Sequence, residues 1–313
     1  MTLQQLKYAI VVADHPSMCD AAKSLYISQP SLTNAIHDLE KDIGITIFAR
    51  TNKGITITPE GDEFLGYARQ VVEQSALLEE KYNGEKTLKQ RFSVSTQHYS
   101  FAVKAFVKLL ERFGLDDFDF SLREIRTYEI IEDVAKMRSE IGILYLNDYN
   151  EDVISKLIKE NDLEFIHLFT AKPHVFISTV NPLSGKKKIK LEELEKYPYL
   201  CFEQGSYNSF YFSEEILSTM EHRKKITVSD RATLFNLLIG SNGYTFSTGV
   251  IDNDLNGDDI IAIPLDVPME IRVGYIMRKN VIMSRLAQIY IEALKEQISK
   301  KQSLVIFSRQ IIL

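Results

Sequence analysis

Cysteine is scarce in this chain: Cys19 and Cys201 are the two among 313 residues. That excludes a disulfide scaffold and a cysteine-rich zinc module. Long apolar runs are missing as well; none approaches the roughly 18 residues of a membrane-spanning helix. The start, MTLQQLKYAIVVADH, has neither the basic opening nor the small-residue cleavage site of a signal peptide. A cytoplasmic protein is therefore expected. The histidines (His15, His37, His98, His167, His174 and His222) show no metal-ligand spacing, such as a pair one helical turn apart. Neither a metal nor a cofactor is expected. P-loop, G-x-S-x-G and H-E-x-x-H motifs are absent, and Gly240-Ser241-Asn242-Gly243 reads as a helix stop. The chain is not expected to be an enzyme. Positive charge is in deficit, with 37 Lys and Arg against 43 Asp and Glu, a net −6. Binding to nucleic acid must then be local.

What is present is a globular composition, 45% hydrophobic and 26% charged. Leu3–Asp14 carries Leu6, Ala9, Ile10 and Ala13 on one helical face. His15-Pro16 breaks it, and Met18–Leu25 forms a second short helix with Ala21, Ala22 and Leu25 inward. Ser28 caps a third helix, Pro30 lies in its first turn, and Gly44 ends it. Leu32, Ile36 and Leu39 face inward; Ser31, Thr33, Asn34, His37, Asp38 and Lys41 face out. Phe48 to Ile57 reads as a small hairpin around Asn52-Lys53-Gly54. Three helices with a tight turn between the second and third, then a hairpin, make a winged helix-turn-helix. In that arrangement the third helix enters the major groove and the wing flanks phosphates. Ser28, Gln29, Pro30, Ser31, Thr33, Asn34 and His37 are the candidate readers, with Arg50 and Lys53 on the wing.

The residues Ala21-Ala22, Leu25-Tyr26-Ile27-Ser28-Gln29-Pro30-Ser31-Leu32-Thr33, Ile36, Leu39-Glu40, Gly44, Phe48, Arg50 and Thr58-Pro59-Glu60-Gly61 resemble the LysR-type transcriptional regulator family. The resemblance extends over essentially the whole chain. One departure is charge. Residues 1–58 hold Lys7, Lys23, Lys41, Arg50 and Lys53 against Asp14, Asp20, Asp38, Glu40 and Asp42, so they are about neutral. The family often has Arg or Lys where Asn34 and His37 stand here. Counterion release supplies most non-specific affinity, so weak non-specific binding and more reliance on dimerisation are expected.

Residues 59–90 read as a long linker helix followed by a hinge. Thr58 caps it and Pro59 opens it. Phe64, Ala68, Val71, Ser75, Leu78 and Tyr82 recur at alternating spacings of four and three, widened by Leu65 and Val72. This is a dimerisation seam; the alternative is a helix lying on its own domain. The resemblance implies the same pairing, and a homotetramer built as a dimer of dimers.

Residues 91–313 alternate strands and helices. Phe92–Thr96, Phe101–Phe113, Phe118–Arg126, Glu129–Ser139 and Ile141–Leu146 give a βαβαβ rhythm with parallel strands. A second unit starts near Phe165. It holds His174–Ser178, Leu191–Lys196, Tyr199–Phe202, a helix at Ser213–Met220, Ile226–Val228, and a helix at Arg231–Ile239. Ile260–Pro264 and Glu270–Met277 read as strands returning to the first unit, closed by helix Ser284–Ser299. The boundaries are 1–58 for the DNA module, 59–90 for the linker and 91–313 for an effector domain. Within it, lobe I is 91–164 plus 265–313 and lobe II is 165–264. The class is α+β overall, and the two-lobed part resembles the periplasmic-binding-protein-like effector domain of the family.

Ligands in such sheets sit at strand ends. The candidates are Ser95, Thr96, Gln97, Tyr99 and Thr127 from one unit, and Glu203, Gln204, Ser206, Ser247 and Thr248 from the other. Hydroxyls beside a helix N-terminus make an anion site; helix capping is the alternative. His98, in the same turn, reads as solvated or packed. Thr96-Gln97 resembles the anion-gripping turn of the cysteine-regulon branch, which implies a small anion or an amino-acid or sulfur metabolite as effector. Cys201 reads as a buried cysteine, and Lys186-Lys187-Lys188 with Lys190 as a solvated turn. The expected function is a LysR-type regulator. It binds a pseudo-palindromic operator in double-stranded DNA, and an effector held between the lobes controls it. Two alternatives remain: a ligand-binding protein with a degenerate DNA module, and an enzyme on the same scaffold.

Overall fold

The computed structural model describes residues 1–51, 54–83, 90–113, 118–205, 207, 209–251 and 257–310. By its internal contacts the chain divides into two compact units, Met1–Lys89 with Lys136–Arg138, and the remainder.

The first unit begins with α1 (Leu3–Ala13), α2 (Met18–Ser24) and α3 (Gln29–Ile43). Each start is capped by a hydroxyl: Thr2 accepts from Gln5 N, Ser17 from Asp20 N, and Ser28 from Ser31 N. Gly44 ends α3 in the left-handed region at φ 76°. The wing is β1 (Phe48–Thr51) paired antiparallel with β2 (Gly54–Ile57). One carboxylate ties the wing to α3: Glu40 Oε1 accepts from Ile47 N at 2.7 Å and Phe48 N at 3.0 Å. The long helix α4 (Pro59–Asn83) follows. Thr58 Oγ1 accepts from Gly61 N at 2.9 Å at its start. Leu6, Ala9, Val12, Ala21, Ala22, Leu32, Ile36, Leu39, Ile47, Phe48, Leu65 and Ala68 form one core.

The second unit has two sheets. The first runs β4 (Phe118–Glu124), β3 (Gln90–Thr96), β5 (Ile141–Leu146), β12 (Ile271–Arg278), β6 (Leu163–Ala171). β3, β4 and β5 are parallel, and β12 is antiparallel to both β5 and β6. The second runs β11 (Ile260–Pro264), β7 (His174–Ser178), β10 (Tyr244–Ser247), β8 (Tyr199–Phe202), β9 (Lys225–Val228). The helices of this unit are α5 (Ser100–Phe113), α6 (Thr127–Ala135), α7 (Glu151–Glu160), α8 (Leu191–Leu194), α9 (Arg231–Ser241) and α10 (Arg285–Gln310). α10 packs on α5, and Tyr290 is fully buried between them with its hydroxyl donating to Ala102 O at 3.1 Å.

Four expectations change. Strand β6 bonds along its length to β12, so the first lobe extends through Ala171 and a boundary at 164 falls inside a strand. Ile260–Pro264 does not return to the first unit; it forms the edge of the second sheet against β7. Helix α7 between β5 and β6 was not anticipated. Ser213–Met220 is not a helix: Phe210–Phe212 is a short 3-10 turn, and Leu217 sits at φ 58°.

The crossings between lobes run side by side. Leu265 N donates to Pro173 O at 2.9 Å, and Pro264 lies opposite His174. One buried cluster joins the lobes, with Val94, Ile143 and Val273 from the first sheet and Val175, Ile177, Tyr244 and Ile263 from the second.

Gly274 sits where the β12–β6 register shifts. A Cβ there would lie 2.5 Å from Ile166 O and 2.3 Å from Phe165 Cζ. Gly274→Ala should cost about 1–3 kcal/mol, the usual range for overpacking. Denaturant unfolding of the full chain measures it.

Candidate DNA-reading face and interlobe pocket

The outward face of α3 presents Gln29, Pro30, Ser31, Asn34 and His37, all exposed. His37 has 75% of its side chain in solvent, 4.0 Å from Asp38. Ser28 and Ser31 are exposed, and their hydroxyls bond each other at 2.7 Å. Thr33 departs from the expected role. It is half-buried, and its Oγ1 is occluded from solvent with no hydrogen-bond partner. Its hydroxyl therefore faces the module rather than a groove. Tyr26, unremarked in the sequence beyond its motif, is 96% exposed and held at φ 55° in the turn before α3. A bulky residue in that region is strained, and such strain clusters at working surfaces. Arg50 lies on β1, but its side chain, like all of Lys53, lies outside the described residues.

The α4 seam divides. Ala68 is buried in the module's own core, with Phe64 and Val72 packed against it. Phe64 and Ala68 are thus used within one copy, because α4 also lies along α1. Val71 and Leu78 remain 50% and 61% exposed, with Tyr67 beside them at 43% and Ser75 half-buried. Tyr82's side chain is outside the described residues.

In the effector domain, the turn after β3 is braced from within. Gln97 Nε2 donates to Thr127 Oγ1 at 2.6 Å, and its Oε1 accepts from Tyr99 OH at 2.9 Å and Tyr145 N at 3.2 Å. Ser95 Oγ donates to Asp133 Oδ2 at 2.8 Å and meets Ser139 Oγ at 2.7 Å. Thr96 Oγ1 donates to Gln97 O at 2.8 Å. All four of Ser95, Thr96, Gln97 and Thr127 are fully buried. They hold the turn and do not line open space, because their polar atoms are already consumed by the fold.

Open space between the lobes lies beside them. A small pocket of about 40 Å³ is lined by His98, Tyr99 and Ser100 from the first lobe, and by Phe176, Phe202, Arg231, Phe235, Thr245, Phe246 and Ser247 from the second. Glu214 and Glu215 close one wall. A neighbouring cavity of about 10 Å³, room for about one water, reaches Tyr145 and Thr248. Of the expected ligand residues, Tyr99, Ser247 and Thr248 line these spaces. Glu203 instead pairs with Arg126. Gln204 is 8% exposed with neither amide atom partnered, and is not among the lining residues. Ser206 lies outside the described residues. Glu214, Glu215, Arg231 and Thr245 were not anticipated. The pair of adjacent glutamates after Phe210-Tyr211-Phe212 was the available signal.

Those glutamates belong to a strap. After β8 the chain leaves the second lobe and packs on the first: Tyr207 stacks on Tyr128 with centroids 3.5 Å apart, and Tyr211 on Tyr149 at 4.9 Å. Phe212 is buried in the cluster of Ile130, Val134 and Ile154. Ser213 O accepts from Tyr145 OH at 3.0 Å. Glu214 Oε2 accepts from His98 N at 2.9 Å, and its oxygens lie 3.0 and 2.9 Å from His98 Nδ1. Glu215 turns back, accepting from Phe202 N at 2.8 Å and Ser213 Oγ at 3.0 Å. Arg231 Nε lies 3.0 Å from Glu124 Oε1, a second tie between lobes.

Burial alone would lower the His98 pKa, but the charge and hydrogen bond of Glu214 outweigh it and the imidazole is raised above its ordinary value. Burial, then the charge of Glu214, pushes Glu215 up to about 8. Burial likewise pushes the Cys201 thiol up, which disfavours the reactive thiolate. Cys201 is buried, as expected. Lys186 and Lys188 pair with Glu193 and Asp266, in keeping with a solvated turn.

A winged helix-turn-helix followed by a two-lobed domain with a pocket between its lobes is the arrangement of a ligand-responsive DNA-binding regulator. The family models agree. Residues 3–62 match the bacterial regulatory helix-turn-helix protein, lysR family, and residues 91–299 match the LysR substrate binding domain. The chain belongs to the LysR family of transcriptional regulators. Among its relatives, the HTH-type transcriptional regulator CysL of Bacillus subtilis is 25% identical over 301 residues, 93% of this chain and 95% of that one. The uncharacterized HTH-type transcriptional regulator YnfL of Escherichia coli is 28% identical over 222 residues, 70% of each chain. Both relatives are HTH-type transcriptional regulators. In structure the chain resembles a cysteine-to-aspartate variant of full-length OxyR from Pseudomonas aeruginosa. The TM-score is 0.64 at 19% identity, over 94% of this chain and 95% of that one; the likeness is one of fold.

Both raised groups bind protons more tightly in the folded chain. The contribution of His98 is full below its unfolded pKa and fades as pH rises through its folded value; that of Glu215 fades between about 4.5 and about 8. Thermal stability should therefore fall as pH rises from about 4.5 through about 8, with His98 adding to the loss above its ordinary value. Glu215→Gln, which keeps the hydrogen-bonding shape, should flatten that fall. A series of melting curves across pH checks both.

Proposed function

We propose that paired copies of this LysR-type regulator read a pseudo-palindromic operator through Gln29, Ser31, Asn34 and His37, with Tyr26 beside them. A small molecule held between the effector lobes controls the reading. The observation that carries the proposal is the exposed, hydrogen-bonding face of α3, whose opposite side is spent on the core. Asn suits a bidentate contact to adenine, and Ser, Gln and His reach other base edges. Arg50 and Lys53 on the wing serve the phosphates.

Pairing uses the outer part of α4, supported by the exposure of Val71 and Leu78 beside Ser75. A dimer of dimers then gives a homotetramer. The effector acts by differential affinity for two lobe arrangements, and so for two arrangements of the paired modules. The ligand side of the reading is supported by the interlobe pocket with His98, Tyr99, Ser247 and Thr248 at its walls. Among the described residues no helix is long and apolar enough to cross a membrane, and the reading is of a cytoplasmic regulator with no catalytic role.

The test is a gel shift on the DNA upstream of the chain's own gene. Asn34→Ala and His37→Ala should each weaken specific binding about ten- to a hundredfold, a loss of about 1–3 kcal/mol, with melting temperature unchanged. Thr33→Ala should weaken it far less. Equal binding by all three variants and the parent would remove α3 as the reader. The near-neutral module should also give a shallow dependence of affinity on salt.

Leu78→Asp and Val71→Asp should shift the chain toward monomer in light scattering without lowering its melting temperature. A dimer that survives both would place the contact elsewhere.

A further inference from the structure

Glu214 makes the contacts of a bound ligand. It comes from the second lobe, crosses the cleft, and seats its carboxylate on the turn that precedes α5 in the first. There the His98 amide and imidazole both serve one anionic group, at 2.9 Å for the amide and 2.9–3.0 Å for Nδ1. Both side chains are 5% exposed. α5 is 14 residues long, so its N-terminal amides add a favourable field at that position. The acceptor that fills the turn is supplied by the chain itself.

The small pocket next to it differs in character. Phe176, Phe202 and Phe235 give it apolar walls. The ring of Phe202 stacks on His98 with centroids 3.8 Å apart, joining the apolar wall to the anion turn. In the same pocket Thr245 is 4% exposed, and its hydroxyl has no hydrogen-bond partner. A buried hydroxyl left unpaired is costly, and a ligand atom in the pocket would satisfy it. An anion turn, an apolar wall and one orphan hydroxyl together describe a molecule with a charged end and an apolar body.

We propose that Glu214 is an internal occupant of a carboxylate subsite: the effector is an organic carboxylate with an apolar body, which takes the His98 turn and displaces Glu214. This deepens the reading of the interlobe cleft as the effector site and rests on it. The apolar body lies along Phe176, Phe202 and Phe235, and the Thr245 hydroxyl meets its polar edge. Glu214 is the end of the strap formed by Tyr207, Tyr211 and Phe212, so its release frees one of the ties between lobes. The internal carboxylate also sets sensitivity. A competitor held in place by the fold reduces apparent affinity by the fraction of time the subsite is free.

The full-length chain is tested as wild type, Glu214→Ala and Glu214→Gln, by thermal shift with benzoate, acetate and sulfate. Glu214→Ala should melt lower than wild type, and benzoate should restore it at a concentration at least about tenfold lower than the wild type needs to respond. Acetate should restore it partly and sulfate little. Glu214→Gln keeps a hydrogen-bond acceptor without the charge. It should fold like wild type and show an intermediate gain, which keeps the test open if the alanine variant is too unstable. Adding His98→Ala to Glu214→Gln should abolish the gain. No gain in either variant overturns the proposal, and so does a sulfate effect equal to that of benzoate. A separate readout guards the broader reading. If pooled metabolites alter the wild-type gel shift and Phe235→Ala removes that response, while Glu214→Gln gains no carboxylate sensitivity, the cleft remains the effector site and the Glu214 proposal alone falls.

Discussion

The Gln97 amide is the pivot of the effector domain. A single buried side chain joins the end of β3 to the start of α6 through Thr127, to β5 through the Tyr145 amide, and to the start of α5 through Tyr99. Removing it would leave several buried polar groups unpaired at once, each at a cost of about 1–3 kcal/mol. Its consequence is geometric. With the turn braced from behind, the His98 amide and imidazole face forward into the space between lobes, where Glu214 meets them. The first lobe therefore presents a hydrogen-bonded platform on that side. What varies is what the second lobe brings to it: a strap, an arginine on α9, and a wall of aromatic rings.

That division explains which site residues the sequence disclosed. Ser95, Thr96, Gln97 and Thr127 stand out because small polar residues at strand ends have few reasons to be there. One reason is ligand contact, and the other is satisfying buried backbone and side-chain groups. Pattern does not separate these two, since each calls for the same residue types at the same strand end. The residues that do line the open space are harder to see. Phe176, Phe202 and Phe235 look like core, and Thr245 looks like an ordinary strand residue. Glu214 and Glu215 were hidden because Ile216, Leu217 and Met220 fit helical spacing, whereas Phe212, anchored in the opposite lobe, holds the segment in an irregular path.

The architecture was far more legible. Most strands and helices of both lobes, and the whole DNA module, follow from periodicity, caps and breakers that agree with one another. Failures occur where an element's partner is distant in sequence. Strand β6 belongs with β12, about a hundred residues away, so nothing local assigns it to the first sheet. Likewise the heptad pattern of α4 is the same whether its face meets α1 of its own chain or another copy. Only packing shows that Ala68 is already spent while Leu78 is not.

From the last turns of α3 the Glu40 carboxylate accepts from the amide of Ile47, just before the wing, and from that of Phe48, the wing's first residue. Helix and hairpin are thus joined at one side chain, like the two jaws of a caliper. On the reading proposed above, one jaw enters a groove and the other touches its flank, so each copy would gauge a single half-site. The distance between half-sites would then be set by whatever pairs one copy with the next. A regulatory change in that pairing would leave each DNA contact intact and alter only how many can be made at once.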